Sequence, residues 1–197
     1  MAHFQHVVAI FLSLIIFSGA YTQPAATARA LQKGKQKEDT SYVYLLPYKH
    51  GAKKMMVQGY YTKHSHQYMA ALDFKMKTGA TICAARSGVV TDVMDASDRG
   101  GLHEKYLSDW NYVVIRHTDS STAIYGHLKQ HGALVHSGDS VRAGQPIALS
   151  GNTGYSAFPH LHFQVWDKNG TQTATRFRTK KGNRYLKPLH YYTSIHD

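Results

Sequence analysis

The chain has 197 residues, 43% of them hydrophobic, and carries 23 Lys and Arg against 12 Asp and Glu, for a net charge of +11. That length supports one domain with a substantial core and is too short for two once an N-terminal leader is removed. The single cysteine, Cys83, excludes an intramolecular disulfide framework and reads as a small core residue, while the scattered basic residues form no nucleic-acid-binding motif and argue against that partner.

Residues 7–17 are apolar apart from Ser13 and are followed by Ser18-Gly19-Ala20, a small-x-small pattern suited to signal-peptidase cleavage. Eleven residues fall short of the run of about 20 that a membrane-spanning helix needs. Residues 1–20 are therefore expected to be a signal peptide, although no Lys or Arg precedes the apolar run, and the chain is expected in the periplasm, cell wall or extracellular space. No cysteine lies near the cleavage site to carry a lipid. Residues 21–40, rich in Ala, Gln, Lys and Thr with Leu31 as the one large aliphatic residue, read as a flexible linker, so the domain spans residues 41–197. The leader holds no charged side chain, so the mature chain keeps the whole basic excess, which suits an anionic envelope polymer as partner.

From residue 41 onward the chain alternates short β-type runs with turn residues. Strands are expected at 42–46, 54–59, 69–76, 88–94, 111–117, 123–128, 146–150 and 160–166. Eight short strands predict an all-β fold, a single compact antiparallel β-sandwich or open barrel with a groove over the site described next. The polar, Gly-containing stretch 95–110 is long for a connection inside a compact domain and is expected to wall that groove, where it could mask the site.

Phe158-Pro159-His160-Leu161-His162-Phe163 places two imidazoles on one strand face about 7 Å apart, with Leu161, Phe163 and Val165 on the apolar reverse. One such histidine can bind a metal while its neighbour leans over the bound water. A hydrolytic zinc site needs three protein ligands and an open position. Asp73 is the best carboxylate, because Leu72, Phe74 and Met76 take the opposite strand face. A third ligand could be His64 or His66, which spacing alone does not separate. In the run 123–128, Ala123, Tyr125 and His127 share a face, which makes His127 a further candidate. His103-Glu104 does not open a helical His-Glu-x-x-His motif, since position 107 is Leu107.

Ser65-His66, Ala71-Leu72-Asp73-Phe74, Gly79-Ala80-Thr81, Tyr125-Gly126-His127-Leu128, Gly151-Asn152-Thr153-Gly154 and Pro159-His160-Leu161-His162-Phe163 stand in the order that resembles the lysostaphin-type (LytM-type) peptidoglycan metalloendopeptidases. The resemblance covers roughly residues 41–167. It implies one Zn2+ per chain held by His66, Asp73 and His162, with His127 and His160 as the non-ligand catalytic histidines. It also implies a peptidoglycan peptide substrate. A monomer is expected, and activity should fall below about pH 6 as ligand and catalytic histidines protonate. Six residues separate His66 from Asp73 where three are common, so the intervening segment must bulge or loop. Phe158 stands where a glycine is common and Gln164 where a glutamate is frequent. Some relatives of this family have lost ligands and act as non-catalytic envelope regulators. A turn-rich likeness of residues 135–147 to lipoyl or biotinyl carriers lacks a Met-Lys-Met-like hairpin and reflects related β-architecture.

Overall fold

The computed structural model describes residues 29–31, 33, 42–62 and 65–195. The expected signal peptide, most of the expected linker, and His64 lie outside the described residues. Among the described residues fifteen strands follow in chain order: β1 (Val43–Tyr44), β2 (Lys53–Gln58), β3 (Ala71–Lys75), β4 (Thr81–Cys83), β5 (Gly88–Met94), β6 (Gly100–Gly101), β7 (Tyr112–Arg116) and β8 (Thr122–Gly126). They continue with β9 (Leu128–Ala133), β10 (Ser140–Val141), β11 (Pro146–Ser150), β12 (Gly154–Tyr155), β13 (His160–Trp166), β14 (Arg176–Phe177) and β15 (His190–Thr193).

The main sheet has eight antiparallel strands in the order β10-β5-β7-β8-β13-β3-β2-β15. A second sheet, β4-β11-β9, adds Ile82, Ile147, Ala148 and Leu128 to the same core as Phe74, Tyr125 and Phe163 of the main sheet. Two further pairs, β1-β14 and β12-β6, are short and parallel. The expected all-β class holds, and the sheets do not close into a barrel. Strands 88–94, 146–150 and 160–166 have the expected bounds, and the other expected strands are met within a few residues, with 128 instead opening β9.

Alternation explains the core. In β13, Leu161, Phe163 and Val165 pack with Phe74 and Tyr125, and the Tyr125 and Phe163 ring centroids lie 5.2 Å apart in an edge-on arrangement. The other face of β13 is also buried, which is unusual for a strand carrying His160, His162 and Gln164 and requires partners for those polar groups. Cys83 is buried in β4, as expected of a core residue. Leu31 departs from the linker expectation, being 1% exposed and part of the core cluster. Burial of one leucine contributes about 2 kcal/mol, enough to tie that point of the segment to the domain.

Candidate metal centre

Sheet register builds the centre. In the antiparallel ladder His162 of β13 stands directly opposite Asp73 of β3, and directly opposite Gly126 of β8 on the other side. Cross-strand neighbours on one face have Cβ atoms about 5 Å apart, so the carboxylate and imidazole meet. His162 Nδ1 lies 3.1 Å from Asp73 Oδ1. His66 comes from the connection between β2 and β3, where a turn closed by the Met69 N–H donating to the His66 carbonyl at 3.1 Å takes up the lengthened gap. Its Nε2 lies 3.2 Å from Asp73 Oδ2. His66, Asp73 and His162 are all buried, and their ligand atoms lie within 4.8 Å of one another.

These separations fit a metal. Bonds of about 2.0–2.1 Å at the tetrahedral angle put neighbouring ligand atoms about 3.3 Å apart, and the two Asp73 oxygens lie 3.1 Å from His162 Nδ1 and 3.2 Å from His66 Nε2, one oxygen to each ring. The Nδ1–H of neutral His160 can donate to the Phe158 carbonyl at 2.8 Å, and its Nε2 lies 3.6 Å from Asp73 Oδ1. His162 Nε2 lies 3.5 Å from Gln164 Oε1, the kind of outer oxygen that orients a ligating imidazole. Gln58, which the sequence did not single out, donates from Nε2 both to Asp73 Oδ2 at 3.0 Å and to Ser65 Oγ at 2.8 Å, tying the carboxylate to the residue beside His66. No spacing signal marks Gln58, because its role comes from the register shift where β2 meets β3.

His127 and His160 open onto the same centre. Their ring centroids are 4.5 Å apart, and His127 is 5.8 Å from His162. The Nδ1–H of neutral His127 can donate to the Thr153 carbonyl at 2.7 Å, which turns its Nε2 away from that loop. Its φ of +60° is a left-handed backbone that few non-glycine residues adopt, a strain of order 1–3 kcal/mol. Burial, reinforced by His160 and His162 beside it, pushes the His127 pKa down to about 3. Burial also lowers that of His160, against the opposing pull of Asp73. Burial alone would raise the Asp73 carboxyl, but hydrogen bonds with His162 and His66 outweigh it and hold the group well below the usual carboxylate range.

Of the stretch 95–110, expected to wall the groove, Trp110 stands against this centre, and a short parallel pair ties the stretch to residues 154–155. Gly100 and Gly101 pair with Gly154 and Tyr155, and the Gly154 N–H donates to the Arg99 carbonyl at 2.9 Å. Trp110 ends the stretch with its ring 5.8 Å from His127 and 6.1 Å from His162. Two glycines make room for it: a Cβ at Gly126 would sit 2.4 Å from the indole, and one at Gly154 2.3 Å from the Trp110 Cβ.

The sequence profile of Peptidase family M23 matches residues 67–175, beginning one residue after His66. An uncharacterised metalloprotease of Buchnera aphidicola is 39% identical over 95 residues, 48% of this chain and 22% of that protein. The peptidoglycan DD-endopeptidase ShyA of Vibrio cholerae is 37% identical over 93 residues, 47% of this chain and 19% of its own length. The murein hydrolase activator EnvC of Escherichia coli is 32% identical over 101 residues, 51% of this chain and 23% of its length. This chain thus spans about a fifth of each of these relatives. Among solved structures, a zinc-containing peptidase from Vibrio cholerae aligns with a TM-score of 0.51 at 28% identity, covering 66% of this chain and 38% of that one. With its all-β fold, its buried His66–Asp73–His162 cluster and a profile match over more than half its length, the chain belongs to peptidase family M23.

Proposed function

We propose that the chain is an exported, monomeric zinc endopeptidase that hydrolyses peptide bonds in peptidoglycan crosslinks or stem peptides. The observation that carries this reading is the cluster itself: three buried residues offer ligand atoms within 4.8 Å of one another, and the rings of two further histidines stand beside them. His66 Nε2, an Asp73 carboxylate oxygen and His162 Nδ1 would hold one Zn2+, with Gln58 and Gln164 orienting the carboxylate and one imidazole. When bound, zinc would polarise the scissile carbonyl and lower the pKa of a water from about 15.7 toward roughly 7.

The histidines supply the proton transfers. Their carbonyl contacts leave Nε2 of His127 and of His160 unprotonated in the neutral rings, and their lowered pKa values keep both rings neutral near pH 7. Either can take the proton of the attacking water, and the ring that does so becomes a donor to the tetrahedral oxygen or the leaving amine. Trp110 against His127 limits water at the reacting carbonyl. An anionic envelope polymer is the expected second partner.

The test is metal analysis and muropeptide digestion with the full chain, beside His162→Ala and His127→Ala. The parent should bind one zinc and cleave, His162→Ala should lose both, and His127→Ala should keep zinc and lose cleavage. If His162→Ala retained zinc and cleavage, the site assignment would be wrong. A parent that holds zinc, cuts nothing and stimulates a separate amidase would favour a regulator, a reading that the similarity to EnvC keeps in view.

A further inference from the structure

Positive charge is concentrated beyond the segment that matches the family. Residues 168–196 hold seven of the chain's 23 Lys and Arg and no Asp or Glu, and all but Lys168 follow residue 175, where the profile match ends. The fold makes these residues a fixed surface. Phe177 is fully buried among the rings of Tyr44, Phe74 and Phe163, with centroids 5.7 to 6.3 Å away. Its N–H donates to the Arg184 carbonyl at 2.9 Å, the Arg184 N–H donates back at 3.1 Å, and the Arg178 N–H donates to the Tyr44 carbonyl at 2.9 Å. At the tip, Thr179 Oγ1 donates to the Gly182 carbonyl at 2.7 Å and accepts from the Lys181 N–H at 3.2 Å.

Phe177 and Thr179 are buried while Arg178 and Lys180 are exposed, joined by exposed Lys181, Arg184 and Lys187. Among the described residues none of these five cations forms an ion pair. Their mutual repulsion on a turn bolted to the core is relieved by a ligand with repeated negative charges, and a rigid turn loses little entropy on binding it. Both aromatic residues of the turn, Phe177 and Tyr185, are buried, so no ring is free there to stack on nucleic-acid bases.

We infer that this basic hairpin docks a flexible phosphodiester glycopolymer of the cell envelope, read by charge alone, and so holds the metal centre close to the wall. The choice of an envelope polymer rests on the exported reading above. The experiment measures binding of the full chain to fluorescently labelled poly(glycerol phosphate) by anisotropy between 50 and 300 mM salt. It is repeated with the combined Arg178→Gln, Lys180→Gln, Lys181→Gln and Arg184→Gln variant. The variant is expected to bind at least tenfold more weakly at low salt, and its log-log salt slope should be shallower by roughly 3, at about 0.7 per cation lost.

Zinc content and hydrolysis of a short soluble peptide should be unchanged in the variant. A parent that lacks both fails the proposed function, whatever its polymer binding. Equal polymer binding by parent and variant overturns the hairpin as the surface. Tighter binding to phosphatidylglycerol vesicles, a competitor suggested by exposed Leu189 and Tyr191 nearby, or to a single-stranded oligonucleotide of equal charge overturns the partner class. If the combined variant does not fold, Lys180→Gln and Lys181→Gln at the exposed tip serve singly, each expected to weaken binding at least twofold, and no change in either overturns the inference.

Discussion

Gly126→Ala tests whether Trp110 is wedged against the metal centre. The new Cβ would meet Trp110 Cζ3 at 2.4 Å and Cε3 at 2.7 Å, where carbon atoms rest at about 3.5–4.0 Å, so the indole must retreat by about 1 Å. The obstacle is a side chain and not backbone, so the strand can survive while the ring leaves its place beside His127 and His162. Overpacking of this kind costs about 1–3 kcal/mol, or roughly 2–12 °C in Tm for a domain of this size. Removing the indole should remove the penalty. Urea denaturation followed by circular dichroism, across wild type, Gly126→Ala, Trp110→Ala and the double variant, should give a favourable coupling of about 1–3 kcal/mol. Zinc affinity should fall in Gly126→Ala as His162 loses its ring neighbour. Equal costs for Gly126→Ala in both backgrounds would refute the wedge.

Away from the centre, burial pushes the His117 pKa down to about 4, with Nδ1 held at 2.9 Å from the Ser87 carbonyl and Nε2 buried without a partner. The unfolded chain takes up that proton first as pH falls below about 6.5, so this contribution is whole above 6.5 and lost toward pH 4, about 3 kcal/mol in all. His117→Asn keeps an N–H for Ser87 but cannot titrate in this range, so its stability difference from wild type should shift by about that amount between pH 7.5 and 4, and parallel urea profiles would contradict it. Gln58→Leu removes the donor shared by Asp73 and Ser65 and should weaken zinc binding about 10–100-fold, read by competition with a chromogenic chelator. With His127 pushed down to about 3, the acid limb of kcat/KM should lie below pH 6 and not at the ordinary histidine value. An acid limb at 6.5 in the parent would sink that assignment. Phe177→Ala, which empties a site ringed by aromatics under the basic hairpin, should cost about 3–5 kcal/mol in chemical denaturation and weaken polymer binding with it.

Much of the centre was legible because its residues lie on strands whose period is two. His160 and His162 share a face by spacing alone, and Asp73 stands opposite an apolar set. His66 was different, since its segment has no period and the choice against His64 came from resemblance. Short elements such as β6, β12 and β14 carry no periodic signal at two residues each, and β15, with half-exposed edges, resembles a polar tail. Leu31 shows the same limit: one aliphatic residue in a polar stretch carries no pattern, yet it finds a place in the core.

The sequence by itself determined the all-β class, the alternating faces of β3 and β13, and the residue types able to hold a metal, because local periodicity and side-chain chemistry are properties of the chain. Only the tertiary structure decided that Asp73 faces His162 across the ladder, that Gln58 reaches the carboxylate, that Gly126 and Gly154 yield their space to Trp110, and that backbone bonds to Arg184 and Tyr44 fasten the basic hairpin to the domain. Each of those depends on register and long-range packing, where a shift of one residue would turn every side chain to the other face.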